Sequence, residues 1–241
     1  MVSHHELILY PGEPVRVDHL GLAVADDSAL THAAHLLRAR GLQVDGPRDF
    51  EGVHGPSVRV RDPDDLTVEL MVPPPAVSRP AGPSPFHLIK LAHVNVKSAD
   101  PPRRARWWQD VMDFRLSDQM GETFYWLRCN RDHTSVAIVR SSTPGIHHLA
   151  LEIDSWDEIR RLGDHFMAHD VPVEFGPGRH GPGHSIFLYF LDPWSIRWEF
   201  LCELERIDDE TGHRPKFWHQ ERRANTVNLW GPSPPETFLK W

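Results

Sequence analysis

The chain has 241 residues, of which 40% are hydrophobic, enough for one large domain or two small domains with hydrophobic cores. Its formal charge of −8 argues against a nucleic-acid partner, and no apolar run approaches the roughly 20 residues that span a membrane. With only two cysteines, Cys129 and Cys202, and no basic and apolar leader, we expect a cytoplasmic protein without disulfide bonds.

The first part of the chain, residues 1–72, predicts one small structural unit. A strand is expected at 17–25 and a helix at 28–40, followed by short strands that end in LTVELMV. Six prolines then fall within residues 73–85, and so dense a run cannot build a helix or a central strand. We therefore predict a semi-rigid linker over residues 73–89.

The same order of elements occurs twice more in residues 90–202. One copy has a strand at 90–97, a helix near 101–111 and the strands FYWLRC and TSVAIVR. The next copy has a strand at 146–154, a helix at 155–168 and a last strand in IRWEFL. The repeated unit is therefore a strand, a helix and three strands (βαβββ), and it is present three times.

One βαβββ unit leaves an open sheet that cannot bury both of its faces, which favours pairing of neighbouring units. We predict an α+β fold in which the units of residues 90–202 pair into a curved mixed sheet. This sheet would enclose a metal cavity, with the helices outside. The tail, residues 203–241, lacks periodicity and is expected to wrap over the paired units as a lid.

Two histidines and one glutamate fall at matching positions of the paired units. His93 and His148 lie in the first strand of each unit, and Glu199 lies in the last strand of the third. Equivalent strands of a paired unit face each other across the cavity, so these side chains are predicted to converge. Two imidazoles and one carboxylate that leave other positions open are typical of non-haem Fe(II) oxygenases. We predict that these three residues bind Fe(II), with Mn(II) as the alternative, and leave room for O2.

Several motifs occur in an order and spacing that resemble one protein family. They are HVNV at 93–96, RDHTSVAI at 131–138, GIHHLALEI at 145–153, GPGRHGPGHSIFLYFLDP at 176–193 and WEF at 198–200. With them the chain resembles the type I extradiol dioxygenases of the vicinal oxygen chelate (glyoxalase/bleomycin-resistance) superfamily. The resemblance is nearest to the catechol 2,3-dioxygenase and homoprotocatechuate 2,3-dioxygenase subgroup.

The resemblance implies a function in aromatic degradation. The expected reaction is Fe(II)-dependent extradiol cleavage of a small aromatic diol by O2, which gives a hydroxymuconic semialdehyde-type product. Members of the family usually carry four βαβββ units, whereas this chain has three, so the first unit has lost its usual partner. Either a second subunit supplies that partner, which makes a homo-oligomer the expectation, or the first unit is a simple buttress.

The resemblance also implies roles for residues around the metal ligands. His133 matches an active-site histidine beside the O2 position and is the expected general acid. His180 and Tyr189 match residues that hydrogen-bond the substrate hydroxyls and the ring-opening intermediate. Asn95 and Trp126 are similar to residues of the pocket wall, although Trp126 lies one residue off register.

Some positions depart from the subgroup and bear on the substrate. Phe175 stands where the homoprotocatechuate subgroup has an arginine that holds the substrate carboxylate, so we expect a neutral catechol. Arg222 or Arg223 in the tail could restore the missing cation. His184 replaces a position often occupied by asparagine and is expected to touch the pocket mouth.

Two other classes of function stay open. One is another metal-dependent enzyme of the superfamily, such as a lyase, an isomerase or a thiol transferase. His133, His180 and Tyr189 count against it, since those reactions have no need of this trio. The other is a metal-free binding protein of the same fold, against which the retained metal ligands argue.

A last pair of residues, His19 and Glu69, occupies positions in the first unit like those of His148 and Glu199. The pair is either a second metal site or an inherited pair without chemistry, and the lack of a second histidine favours the latter.

Overall fold

A computed structural model describes residues 6–12, 16–50, 52, 55–78, 86–222 and 226–239. Contacts divide the chain into two units, Met1–Gly82 and Pro83–Trp241, and the division falls inside the proline-rich stretch. Each unit has its own mixed sheet. Among the described residues, no helix combines the length and the apolar character that crossing a membrane requires.

The described residues of the first unit form a four-stranded sheet and one helix. Its sheet order is β1-β4-β3-β2, with β1 parallel to β4 and the other pairs antiparallel. The helix begins after Asp26, whose side chain accepts a hydrogen bond of 2.8 Å from the backbone N–H of Ala29. The elements are β1 (His19–Ala23), α1 (Asp27–Ala39), β2 (Asp45–Arg48), β3 (Ser57–Arg61) and β4 (Thr67–Met71).

The second unit is built on a nine-stranded sheet, ordered β10-β11-β12-β9-β5-β8-β7-β6-β13. Its elements are β5 (Leu88–Ser98), α2 (Pro101–Asp110), β6 (Arg115–Met120), β7 (Phe124–Arg128), β8 (Val136–Arg140), β9 (Gly145–Ile153), α3 (Trp156–Ala168), β10 (Val173–Arg179), β11 (Ile186–Leu191), β12 (Arg197–Cys202), β13 (Lys216–Trp218), a 3-10 helix (Gln220–Arg222) and α4 (Glu236–Leu239). The order strand, helix, three strands occurs twice in it, and the two halves join where β5 and β9 pair antiparallel. The predicted α+β class with mixed sheets is confirmed.

The observed elements differ from the predicted ones mainly at their ends. β5 begins at Leu88, inside the predicted linker, because β9 reaches Ile153 and offers Leu88 a partner. The tail, whose sequence lacks periodicity, contributes β13, which pairs in parallel with β6. The edge of β6 presents backbone N–H and C=O groups that need hydrogen-bond partners. A short strand from the tail can pair with these groups through its own backbone, even though its side chains do not alternate between apolar and polar.

The helix α3 decides which way the neighbouring strands face. Its apolar side packs with one set of alternate residues in β11 and β12, including Leu188 and Phe200, in a buried cluster. Alternate residues of a strand point to opposite faces of the sheet. Tyr189 and Glu199, which pair with each other across β11 and β12, therefore face away from α3. The candidate site lies on that opposite face.

Candidate metal centre

Three adjacent strands place His93, His148 and Glu199 on one face of the sheet. His93 in β5 and Glu199 in β12 both pair with Ala150 of β9. His148 lies two residues before Ala150, and residues two apart on a strand share a face. The register of β5, β9 and β12 thus brings the three side chains together.

The ligand atoms of these residues form a nearly equilateral triangle. Nε2 of His93 lies 3.1 Å from Nε2 of His148, and Oε2 of Glu199 lies 3.2 Å from each of them. Bonds of about 2.1 Å at right angles around one ion place neighbouring ligand atoms about 3.0 Å apart. Three such atoms form one face of an octahedron, with the opposite positions open for small molecules. The spacing and the donor set therefore fit a divalent metal ion.

Glu199 is a buried carboxylate that neighbouring imidazoles keep ionised. Neither of its oxygens accepts a hydrogen bond of normal geometry from the residues that the structure describes. Burial alone would raise the pKa of Glu199, but contacts with His148, His180 and His93 outweigh burial and hold the pKa well below its usual value. Burial lowers the pKa of His148 to about 4, although Glu199 opposes this shift. A carboxylate must be ionised and an imidazole must be neutral to bind a metal ion, and Glu199 and His148 are in these protonation states.

His180 and Tyr189 form a hydrogen-bonded pair beside Glu199. The hydroxyl of Tyr189 lies 3.0 Å from Nε2 of His180, which is itself 3.4 Å from Oε1 of Glu199. Nδ1 of His180 lies 2.5 Å from the carbonyl oxygen of Val227, so this nitrogen carries a proton and donates it. In a neutral His180, Nε2 is therefore an acceptor and Tyr189 is its donor. Burial, helped by the charge of Glu199, raises the pKa of Tyr189 well above its usual value.

A cavity lies over the candidate ligands, and two predicted pocket residues line it. Asn95 pairs with His148 across β5 and β9, and its buried Oδ1 accepts no hydrogen bond from the described residues. Trp126 stacks on Phe124 with 4.0 Å between ring centroids. The other lining residues are mostly apolar or aromatic and come from both halves of the sheet and from the tail: Thr134, Ala137, Val139, His147, His180, Pro182, Ser185, Tyr189, Leu204, Val227, Pro234 and Phe238.

His133 lies next to the cavity wall rather than in it. Thr134 lines the cavity, and Nδ1 of His133 is 2.9 Å from its Oγ1. Nε2 of His133 lies 3.4 Å from Oδ2 of the buried Asp118. Asp118 also accepts hydrogen bonds from the tail, at 2.7 Å from Nε1 of Trp218 and 3.1 Å from the backbone N–H of Lys216. Burial opposes the ionisation of Asp118, but contact with His133 and these donors lowers its pKa.

Three further predicted residues, Phe175, His184 and Arg222, do not line the cavity. Phe175 is buried in an aromatic cluster with Tyr189, Phe187 and Phe238. His184 is exposed, and its carbonyl oxygen accepts a hydrogen bond of 2.6 Å from Arg179. Arg222 is exposed in the 3-10 helix. Arg223 lies outside the described residues.

Two residues of the site carry no clear signal in the sequence. His147 lines the cavity beside His148 because the pairing of β5 with β9 shifts register between Asn95 and Val96. Such an irregularity depends on the partner strand and cannot be recognised from the alternation of apolar and polar residues in β9 alone. Phe238 reaches the cavity from α4, four residues long in a tail without hydrophobic alternation. An aromatic residue there predicts burial, but not against which surface.

The pair His19 and Glu69 in the first unit forms an ion-pair cluster. Nε2 of His19 lies 3.2 Å from Oε2 of Glu69, and Nε of Arg59 donates to the same oxygen at 2.9 Å. The hydroxyl of Ser57 donates to the other carboxylate oxygen. An arginine thus balances the buried charge of Glu69, which favours the interpretation without a metal.

Comparison with known proteins places these observations in a family. Residues 90–200 match the Glyoxalase/Bleomycin resistance protein/Dioxygenase superfamily. The manganese-dependent 2,3-dihydroxybiphenyl 1,2-dioxygenase of Geobacillus genomosp. 3 is 27% identical over 95% of this chain and 80% of that protein. The iron-dependent extradiol dioxygenase of Rhodococcus jostii (strain RHA1) is also 27% identical, over 93% of this chain and 80% of its own length.

A solved structure shows the same fold. Homoprotocatechuate 2,3-dioxygenase from Arthrobacter globiformis matches 99% of this chain and 77% of its own, with a TM-score of 0.89 at 24% identity. The matched segment 90–200 contains all three candidate metal ligands. Residues 90–200 therefore form a domain of the Glyoxalase/Bleomycin resistance protein/Dioxygenase superfamily.

Proposed function

We propose that this protein is a metal-dependent extradiol dioxygenase, which opens the ring of a catechol-type diol with both atoms of O2. The observation that carries the proposal is the triangle of ligand atoms from His93, His148 and Glu199, with sides of 3.1 and 3.2 Å at the base of a largely apolar cavity. The two relatives described above, each aligned with more than nine-tenths of this chain, are dioxygenases by name. Fe(II) is the proposed metal and Mn(II) the alternative, because one relative is named for each metal.

The three ligands prepare a site for an anionic substrate. Bound to two neutral imidazoles and one carboxylate, a divalent ion would keep a net charge near +1, which favours a diol that has lost a proton. When present, the metal would bring the diol and O2 together and pass electrons between them. The surrounding residues must then hold the ring, move protons and keep bulk water away.

His180 is suited to accept a proton from the diol. Its Nδ1 proton is committed to the carbonyl oxygen of Val227, so the lone pair of a neutral His180 lies on Nε2, the nitrogen nearest to Glu199. A general base has to stand within hydrogen-bond reach of the proton that it removes. A diol oxygen that approaches Glu199 from the cavity comes close to this nitrogen.

Tyr189 is suited to stabilise negative charge on the substrate. Its raised pKa keeps the phenol protonated at neutral pH, and therefore a hydrogen-bond donor. Once His180 has taken a proton, Nε2 becomes a donor and no longer accepts the hydrogen bond of Tyr189. The hydroxyl is then available to a substrate oxygen, where a fixed donor favours developing charge.

His133 is proposed as the acid that returns a proton to the product. This role requires its imidazole to turn from Asp118 towards the cavity, past Thr134, since Thr134 is the residue that lines the wall. We propose that residues 90–202 form the catalytic domain and that the tail, whose Val227, Pro234 and Phe238 line the cavity, acts as its lid. A homo-oligomer and a cytoplasmic location stay predictions from the sequence.

The proposal is tested by adding catechol and 2,3-dihydroxybiphenyl, in separate samples, to protein loaded anaerobically with Fe(II) or Mn(II). On admission of air, we expect a yellow ring-fission product from at least one diol with at least one metal. Glu199→Gln, which keeps the side-chain size but removes the charge, serves as the matched control and should give no product. Metal-loaded wild-type protein that binds a diol yet leaves it intact in air would contradict the proposal.

A further inference from the structure

We infer that His147 is a positioning residue that holds the imidazole of His148 in the tautomer that metal binding needs. The inference rests on the proposed metal site. It concerns a residue that lies next to a candidate ligand but does not belong to the ligand triangle.

The strand pairing explains why both histidines reach the same side of the sheet. Asn95 pairs with His148, but the next residue, Val96, pairs with Ile146. His147 is thus the extra residue of a β-bulge, which breaks the usual alternation of side chains between the two faces. Both imidazoles consequently line the cavity, and both are buried.

The two imidazoles meet through their Nδ1 atoms. Nδ1 of His147 lies 2.6 Å from Nδ1 of His148, and the rings stand edge to face with 4.8 Å between centroids. Nε2 of His148 is the atom that lies 3.2 Å from Oε2 of Glu199. His147 therefore contacts the ring nitrogen of His148 that the metal does not use.

A single proton must lie between the two Nδ1 atoms, because two protons or two lone pairs at this distance would repel. A neutral imidazole carries one N–H and one lone pair. If Nε2 of His148 is to give its lone pair to a metal, its proton has to be on Nδ1. Nδ1 of His147 must then be the acceptor, and the proton of His147 must be on Nε2.

Metal-binding histidines usually donate their other N–H to a fixed partner, and loss of that partner typically costs 10–100-fold in metal affinity or activity. That partner is commonly a carboxylate, a backbone carbonyl or water, whereas here it is a second imidazole. The ring of Phe238 packs edge to face on His147, with 5.2 Å between centroids, and helps to hold that imidazole in place. Contact with His147 thus links metal affinity to the covering tail.

The test compares three variants by their affinity for Fe(II) and Mn(II), measured by competition with a chelator under anaerobic conditions. His147→Phe keeps the ring but has no acceptor, and we expect it to lose about 10–100-fold in affinity. His147→Asn retains an acceptor oxygen near the position of Nδ1 and should stay within a few-fold of wild type. His32→Phe, at an exposed position of α1, is the control and should bind like wild type.

Imidazole nitrogen shifts of wild-type protein loaded with diamagnetic Zn(II) provide a second measurement, which does not depend on the folding of any variant. We expect a proton on Nδ1 of His148 and on Nε2 of His147. A proton on Nδ1 of His147, or wild-type affinity in His147→Phe, would overturn the inference. Ring cleavage is measured separately, so tight metal binding without product would remove the proposed function and leave the role of His147 intact.

Discussion

The hydroxyl of Tyr189 and Nε2 of His180 lie 3.0 Å apart, and the pair stands beside the carboxylate of Glu199. His180 is fixed at both ends, by the carbonyl oxygen of Val227 at Nδ1 and by Tyr189 at Nε2. Its ring also stacks on Phe187 with 3.9 Å between centroids. The proton acceptor and the donor of the proposed site are therefore ordered before any substrate arrives, which lowers the cost of binding.

Replacing Tyr189 with phenylalanine should slow turnover by about 100–1000-fold, the effect typical of losing one donor to a developing negative charge. The aromatic ring remains, so its packing against Phe175 and Phe238 should keep the fold and the metal site intact. Steady-state kinetics, metal content and thermal melting of Tyr189→Phe check this expectation. An unchanged kcat would remove Tyr189 from the chemistry.

The variant His133→Phe should bind metal and diol normally but slow the steps that follow O2 addition. The reason is that His133 does not belong to the ligand triangle, whereas its neighbour in the chain, Thr134, lines the cavity. Stopped-flow measurements, in which the anaerobic enzyme–diol complex is mixed with O2, separate these steps. Turnover at the wild-type rate at every pH would exclude the proposed acid role.

The metal-free protein should lose stability as the pH falls from 7.5 to 5, in part through His148. The pKa of His148 is about 4 in the folded protein and near 6.5 when exposed, so below pH 6.5 the unfolded chain binds more protons. This difference lowers the free energy of unfolding by roughly 2 kcal/mol at pH 5.

Urea unfolding at several pH values measures this effect, with His148→Gln as the matched variant because glutamine does not titrate. Between pH 7.5 and 5, the free energy of unfolding should fall less in His148→Gln than in wild type, and the difference should be roughly the same 2 kcal/mol. Equal slopes in the two metal-free proteins would show that burial of a neutral His148 has no influence on acid unfolding.

Neutral catechols should be better substrates than catechols with a carboxylate. Among the described lining residues, the cavity has aromatic and aliphatic side chains and no lysine or arginine. A hydrogen bond between arginine and carboxylate contributes about 1.5–3 kcal/mol, so its loss costs roughly ten- to a hundredfold in specificity. The values of kcat/KM for 4-methylcatechol and 3,4-dihydroxyphenylacetate test this, and preference for the acid would direct attention to Arg222 and Arg223.

The buried position of Phe175 changes the expected effect of Phe175→Arg on stability and on substrate preference. From the sequence, an arginine there is expected to restore a grip on a carboxylate. In the structure, Phe175 is enclosed by Phe187, Tyr189 and Phe238, so an arginine would bury its charge among aromatic rings. We expect Phe175→Arg to melt at a lower temperature without gaining activity on the carboxylated diol. A stable variant with reversed preference would show that this position does reach the substrate.

The sequence predicts that His93, His148 and Glu199 converge because their convergence depends on regular features. His93, His148 and Glu199 belong to strands whose alternation is visible, and pairing in register sets their common face. His147 depends on an irregularity of pairing, which no local pattern reports. The direction in which His133 points depends on its contact with Asp118, which lies 15 residues earlier in the chain, in β6, whereas His133 lies in the loop between β7 and β8.

The site proposed on His93, His148 and Glu199 should open a diol ring with O2. The most direct measurement is a single turnover of the metal-loaded enzyme with a catechol under ¹⁸O2, followed by mass spectrometry of the product. We expect a ring-opened product that contains both labelled oxygen atoms from the wild-type enzyme, and no ring-opened product from the Glu199→Gln variant. Recovery of the intact diol, or a product without label from O2, would contradict this expectation.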